Sequence, residues 1–83
     1  MKYIVYRDGK AEHLVTFPNT INHDRMAEAM EALRFGGDHD WHRRQGEIVS
    51  AGFVVDGRCH GHSETLGISS RGEVDTALLQ AQA

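Results

Sequence analysis

The apolar positions of this chain fall into two strand-like stretches and two helix-like ones, and each strand-like stretch is broken by an Asp-Gly pair. The longer runs from Glu47 to Gly67, EIVSAGFVVDGRCHGHSETLG. Asp-Gly between β-branched and apolar residues is the strongest short-range hairpin signal, because a type I′ turn needs positive φ at both central positions. Pairing across Asp56-Gly57 sets Val54 opposite Cys59, Gly52 opposite Gly61, Ser50 opposite Ser63 and Ile48 opposite Thr65 on one face. Val49, Ala51, Phe53 and Val55, opposed by Glu64, His62, His60 and Arg58, fall on the other. Two facing glycines mark a close approach by another backbone, a helix or a ligand. A bulge at Gly52 or Gly61 would exchange part of the two faces, so the pattern leaves open which face is buried.

The chain opens with a second hairpin, YIVY at Tyr3 to Tyr6 and EHLVTF at Glu12 to Phe17, turning at Asp8-Gly9. In that register Ile4, Tyr6, Ala11, Val15 and Phe17 share a face with His13. Pro18 removes a backbone donor and leads out of the sheet. Asn22 or Asp24 caps a predicted helix reaching about Phe35, whose Met26, Ala27, Met30 and Leu33 form one apolar stripe. Gly36-Gly37 ends it. A polar segment, Asp38 to Gln45, carries the lone tryptophan, Trp41. After the long hairpin, Ser70 and Glu73 make a capping box ahead of a short helix from Val74 to about Gln80. The order β-β-α-β-β-α predicts a two-layer α+β fold: a four-stranded antiparallel sheet, one amphipathic helix across it and a short C-terminal helix.

At 83 residues the chain is expected to be a single domain, 1–83. A core of that size is marginal, which favours a homo-oligomer. No window approaches a membrane span, and the first ten residues lack the apolar run of a signal peptide. One cysteine, Cys59, excludes an internal disulfide framework and fits a reducing compartment. A net charge of −3 with interspersed signs argues against nucleic-acid binding, which needs a basic surface. The expected setting is cytoplasmic, with no membrane and no cofactor.

Three stretches together carry a resemblance: KYIVYRDGKAEHLVTFPNTINHDRMAEAM, VSAGFVVDGRCHGHSETLG and SSRGEVDTALL. They resemble a group of small accessory proteins of tailed phages and prophages over nearly the whole chain. The most specific parts are Val49 to Val54, then Cys59, Gly61, Ser63, Glu64, Leu66-Gly67, Ser70-Arg71 and Asp75 to Leu79. Where that group often has proline after the Ser-Arg pair, Gly72 stands here, so the last helix is expected to start less firmly. The resemblance implies a protein made in the bacterial cytoplasm and carries no particular activity with it. Small phage proteins of this kind often counter host defence by binding, either to a defence protein or to a nucleotide signal.

Four places bear chemistry. Ser69-Ser70-Arg71-Gly72 at the start of the last helix offers free N–H groups, the helix dipole and an arginine fork to an anion; the plainer reading is a helix cap. In the 38–45 segment, Trp41 can stack on a base while Arg43 and Arg44 bind phosphate; the plainer reading is a tryptophan folded into the core. His60, His62 and Glu64 alternate on one strand, and His39 and His42 with Asp38 or Asp40 form a second cluster, either of which can be read as metal ligands or as half-exposed structural histidines. Cys59 and His60 point to opposite faces of a strand, so a Cys-His dyad is rejected unless His13 or His23 folds over the thiol.

The expected function is a non-enzymatic counter-defence protein that sequesters a small anionic ligand such as a signalling nucleotide, with Trp41, Arg43, Arg44, Ser69, Ser70 and Arg71 as contacts. The alternatives are an inhibitor that binds a host defence protein directly and, third, a metal-dependent hydrolase on His60, His62 and Glu64.

Overall fold

The computed structural model describes residues 1–35 and 48–82. Among these residues it has the expected α+β architecture: a four-stranded antiparallel sheet in the order β2-β1-β3-β4, two helices and a small extra hairpin. The strands are β1 (Lys2–Asp8), β2 (Ala11–Phe17), β3 (Ile48–Val55) and β4 (Arg58–His60). The helices are α1 (His23–Phe35) and α2 (Glu73–Gln82), and β5 (His62–Ser63) pairs with β6 (Ile68–Ser69). The ending of α1 at Gly36-Gly37, the 38–45 segment and its histidines lie outside the described residues.

Both turns form at the Asp-Gly pairs, but differently. Asp56 and Gly57 both take positive φ, 52° and 76°, as a type I′ turn requires. At the first turn Gly9 has φ 63° and Asp8 pairs with Ala11, so the two loop residues are Gly9-Lys10 and not Asp8-Gly9. Tyr6 therefore faces His13 and Ile4 faces Val15, a register two residues from the expected one. Because strand side chains alternate, a shift of two leaves the same residues on the same face.

The long hairpin departs more. Only Phe53↔His60, Val54↔Cys59 and Val55↔Arg58 pair as expected. At Gly61, φ 84°, the chain leaves the sheet, and His62 and Ser63 pair with Ser69 and Ile68 instead of with β3. The turn between them closes on Ser63, whose carbonyl accepts from Gly67 N at 2.9 Å and whose hydroxyl accepts from Leu66 N at 3.2 Å. At the other end, β3 carries an irregularity against β1: Val5 faces Ser50 and Tyr6 faces Ile48, leaving Val49 as the extra residue. The bulge falls there, not at Gly52 or Gly61, and it moves Ile48 to the opposite face from Ser50 and Gly52.

Both faces of the sheet are covered, which answers the question left open by the pattern. On one, Ile4, Tyr6, Phe17, Ile48 and Ala51 pack with Ala27 and Met30 of α1 and with Leu66. On the other, Tyr3, Val5, Leu14 and Cys59 pack with Leu78 and Leu79 of α2. β1 supplies alternate residues to both clusters, and Tyr3, Ile4 and Val5 are fully buried. Gly52 is the close approach expected of it: a Cβ there would strike the His60 carbonyl and touch Ser70 Cβ at 3.2 Å. Gly61 lies against the Phe53 ring. Among the described residues no helix is long and apolar enough to cross a membrane.

Candidate functional site

The most heavily connected polar cluster lies where α2 meets the sheet. Asp75 follows from the helical period of α2: residues 75, 78, 79 and 82 share one face, so a carboxylate sits in the stripe that Leu78 and Leu79 bury. It is fully buried, and a buried charge must be paired. Oδ2 accepts from Tyr3 Oη at 2.5 Å and from Arg71 N at 2.9 Å, and Oδ1 accepts from Arg71 Nε at 2.8 Å. The single phenolic proton goes to the carboxylate, so Ser70, 2.6 Å away, donates to the Tyr3 oxygen and itself accepts from Gly72 N at 2.9 Å. Ser50 Oγ, fully buried on the same face, meets no partner in hydrogen-bonding geometry, yet stands near enough to help hold Asp75 charged.

Arg71 extends the cluster to β2. Its Nη1 and Nη2 donate to Glu12 at 3.2 and 2.9 Å, and Glu12 is shared with Arg7 at 2.9 Å. Burial, the largest influence, would raise the Asp75 pKa; the bonds from Tyr3, from the Arg71 backbone and from the Arg71 side chain outweigh it and hold the pKa below the ordinary range. Hydrogen bonds from Arg71 and then Arg7 pull Glu12 down to about 2. Burial, followed by the bond to Asp75, pushes the Tyr3 hydroxyl well above its usual value. Glu12 keeps the Arg71 guanidinium charged against its partial burial.

This bears directly on the residues picked out for an anion. Ser70 and Arg71 are together, but all three guanidinium nitrogens of Arg71 already rest on carboxylates of the same chain. The expected Ser70–Glu73 capping box is corrected: Ser70 bonds Gly72, the return bond to Arg71 N comes from Asp75, and Glu73 stays exposed. Ser69 is an exposed residue of β6. Trp41, Arg43 and Arg44 lie outside the described residues.

The histidine set does not assemble. Because the chain turns at Gly61, His60 leans on Phe53 with ring centroids 6.4 Å apart, while His62 stands 3.9 Å from Glu64 on the exposed turn. Among the described residues no group of three or more His, Cys, Asp or Glu side chains could hold a metal ion. His23, which sequence reasoning passed over except as a partner for Cys59, is buried edge-on between Phe17 and Phe53. Burial lowers its pKa, so the neutral ring donates from Nε2 to the Gly52 carbonyl at 2.9 Å. It lines an open cavity of about 260 Å³ with Lys2, His62 and Glu64, but Lys2 Nζ is held by the Ile21 carbonyl at 3.0 Å. His13 packs beside Tyr6. Both histidines lie on the α1 face and Cys59 on the α2 face, so neither covers the thiol. Burial raises the Cys59 pKa, which suits a structural cysteine.

Comparison with protein-family models, with curated proteins and with solved structures finds no match for the chain.

Proposed function

We propose that the chain is an accessory protein of a tailed phage or prophage, made in the bacterial cytoplasm, that counters a host defence by docking on a protein of that system without catalysing a reaction. The observation that carries this reading is the state of Arg71. Its fork is taken up by Glu12 and Asp75, so the start of α2 presents a neutralised ion network and not a vacant cationic cradle. A nucleotide would have to displace two carboxylates to use it. Of the contacts expected for a small anion, Trp41, Arg43, Arg44 and the exposed Ser69 are left uncommitted by this network, and docking on a protein becomes the better-supported mode.

The test pairs two measurements on the purified protein. A phage with and without the gene is plated on hosts that each carry a single defence system, and the protein is then titrated against the purified effector of the system it overcomes. In parallel, cyclic mono- and dinucleotides are titrated by calorimetry. A stable complex with the effector and no heat from any nucleotide is the expected result. Micromolar binding of a nucleotide, lost in Trp41→Ala, would overturn it in favour of the signal sponge.

A further inference from the structure

The outer edge of β2 is finished in an unusual way. Leu14 N donates to Gln82 Oε1 at 2.9 Å, and Gln82 Nε2 donates back to the Leu14 carbonyl at 2.9 Å. The primary amide at the end of α2 thus pairs with an edge residue as a neighbouring strand would. Since Leu14 directs its backbone groups away from β1, alternation directs those of Glu12 and Thr16 outward as well. β2 has seven residues in unbroken register with β1 and contains no proline, lysine or bulge; what blunts its edge is the charge of Glu12 and the Gln82 amide. Among the described residues only the Leu14 position is occupied.

We infer that this edge pairs with the β2 edge of a second copy of the chain, antiparallel and centred on Leu14, with the Gln82 amide as the group displaced. Charge selects the register, and the self-complementary edge suits a second copy. Centring on Leu14 sets Glu12 opposite the partner copy's Thr16, His13 opposite Val15 and Ala11 opposite Phe17, with no like charges facing. Centring on Glu12 would put carboxylate against carboxylate. The Leu14-centred register is also the one that pairs all three outward residues, making two bonds at the axis and two at each Glu12/Thr16 pair. The result is a continuous eight-stranded sheet about a twofold axis, an isologous contact that closes and does not propagate. It also enlarges the core of a chain whose size leaves it marginal.

The test is native mass spectrometry and amide hydrogen exchange on the whole protein, with two variants. Thr16→Pro removes an outward N–H that the β1–β2 ladder does not use, so its monomer keeps its fold, checked by circular dichroism. Gln82→Ala removes the competing amide. The wild type is expected to be dimeric at micromolar concentration, with slow exchange at the Glu12 and Thr16 amides. Thr16→Pro is expected to be a folded monomer, and Gln82→Ala a dimer that dissociates at several-fold lower concentration. A monomeric wild type, free exchange at both amides, or a Thr16→Pro protein as dimeric as the wild type would overturn the assignment.

Discussion

Replacing Asp75 with asparagine keeps the side chain's shape and removes its charge, and the geometry of the cluster says what this costs. Oδ2 receives two protons and Oδ1 one, so either orientation of the amide turns its N–H₂ toward a donor. Facing Arg71 Nε, it loses a charge-assisted bond; facing Tyr3 and Arg71 N, it strands a backbone N–H that cannot turn away. A hydrogen bond to a charged group contributes about 1.5–3 kcal/mol, and an unsatisfied buried donor costs about 1–3 kcal/mol. Arg71 is part-exposed and keeps Glu12, so the full penalty of an orphaned ion does not apply. The expected loss is about 3 kcal/mol. A chain of this length has a total stability of about 4–12 kcal/mol, so the loss is a large share of it. Urea unfolding should show a lower midpoint at unchanged m-value, and the Tm should drop by about 12–24 °C. Tyr3→Phe alone should cost about 1–2 kcal/mol, and the double variant should show a coupling of about 1 kcal/mol or more. A loss below about 1 kcal/mol for Asp75→Asn, or additive effects, would refute the claim that this carboxylate holds α2 to the sheet.

Other outcomes follow from the same contacts. Glu12 has a folded-state pKa of about 2 against an unfolded value of about 4.3, so its contribution is complete above about pH 5 and is lost as pH falls toward 2. Glu12→Gln should therefore flatten the acid limb of a stability-versus-pH curve, and an unchanged limb would show that the ion pairs do not contribute. Gly52→Ala places a methyl against the His60 carbonyl, a backbone atom that cannot swing aside, and should cost about 1–3 kcal/mol by chemical denaturation. Gly72→Pro should destabilise by about 2 kcal/mol or more, because Gly72 has φ 57° and donates its N–H to Ser70. A stabilised Gly72→Pro protein would mean that α2 starts in a different conformation.

What could be read in advance was what is local. The Asp56-Gly57 turn, the methionine stripe of α1 and the amphipathic run of α2 depend on neighbours within a few residues and formed where expected; the first hairpin also formed, but turned one residue later, at Gly9-Lys10. The failures share a cause: a choice made by distant contacts. At Gly61 the ladder to β3 could have continued through His62 and Ser63, but Ser63 closes its own turn and β6 offers a partner. Val49 bulges because Ile48 and Ala51 both reach the α1 cluster, a requirement set by α1 and β1 and invisible within β3. The ion network was hidden because Tyr3 and Glu12 lie 72 and 59 residues from their partners. One signal was available: an aspartate in phase with Leu78 and Leu79 announces a buried charge in need of a donor. Read that way, Arg71, four residues back, is a partner for Asp75 before it is a ligand for anything else.

The place of β1 in the sheet has a consequence for how the protein is made. This strand precedes the rest of the sheet in the chain, yet it is interior: it needs β3 on one side, and its Tyr3 needs Asp75, 72 residues later. Until residues 48–75 exist, the apolar run Tyr3 to Tyr6 has only β2 to pair with, and a lone hairpin is marginal in water. Cooperative closure is therefore deferred until residues 48–75 have been made, and until then the nascent chain carries an exposed, aggregation-competent strand. Yield in the cell should accordingly respond more to chaperone supply and translation speed than the small size of the finished domain would suggest.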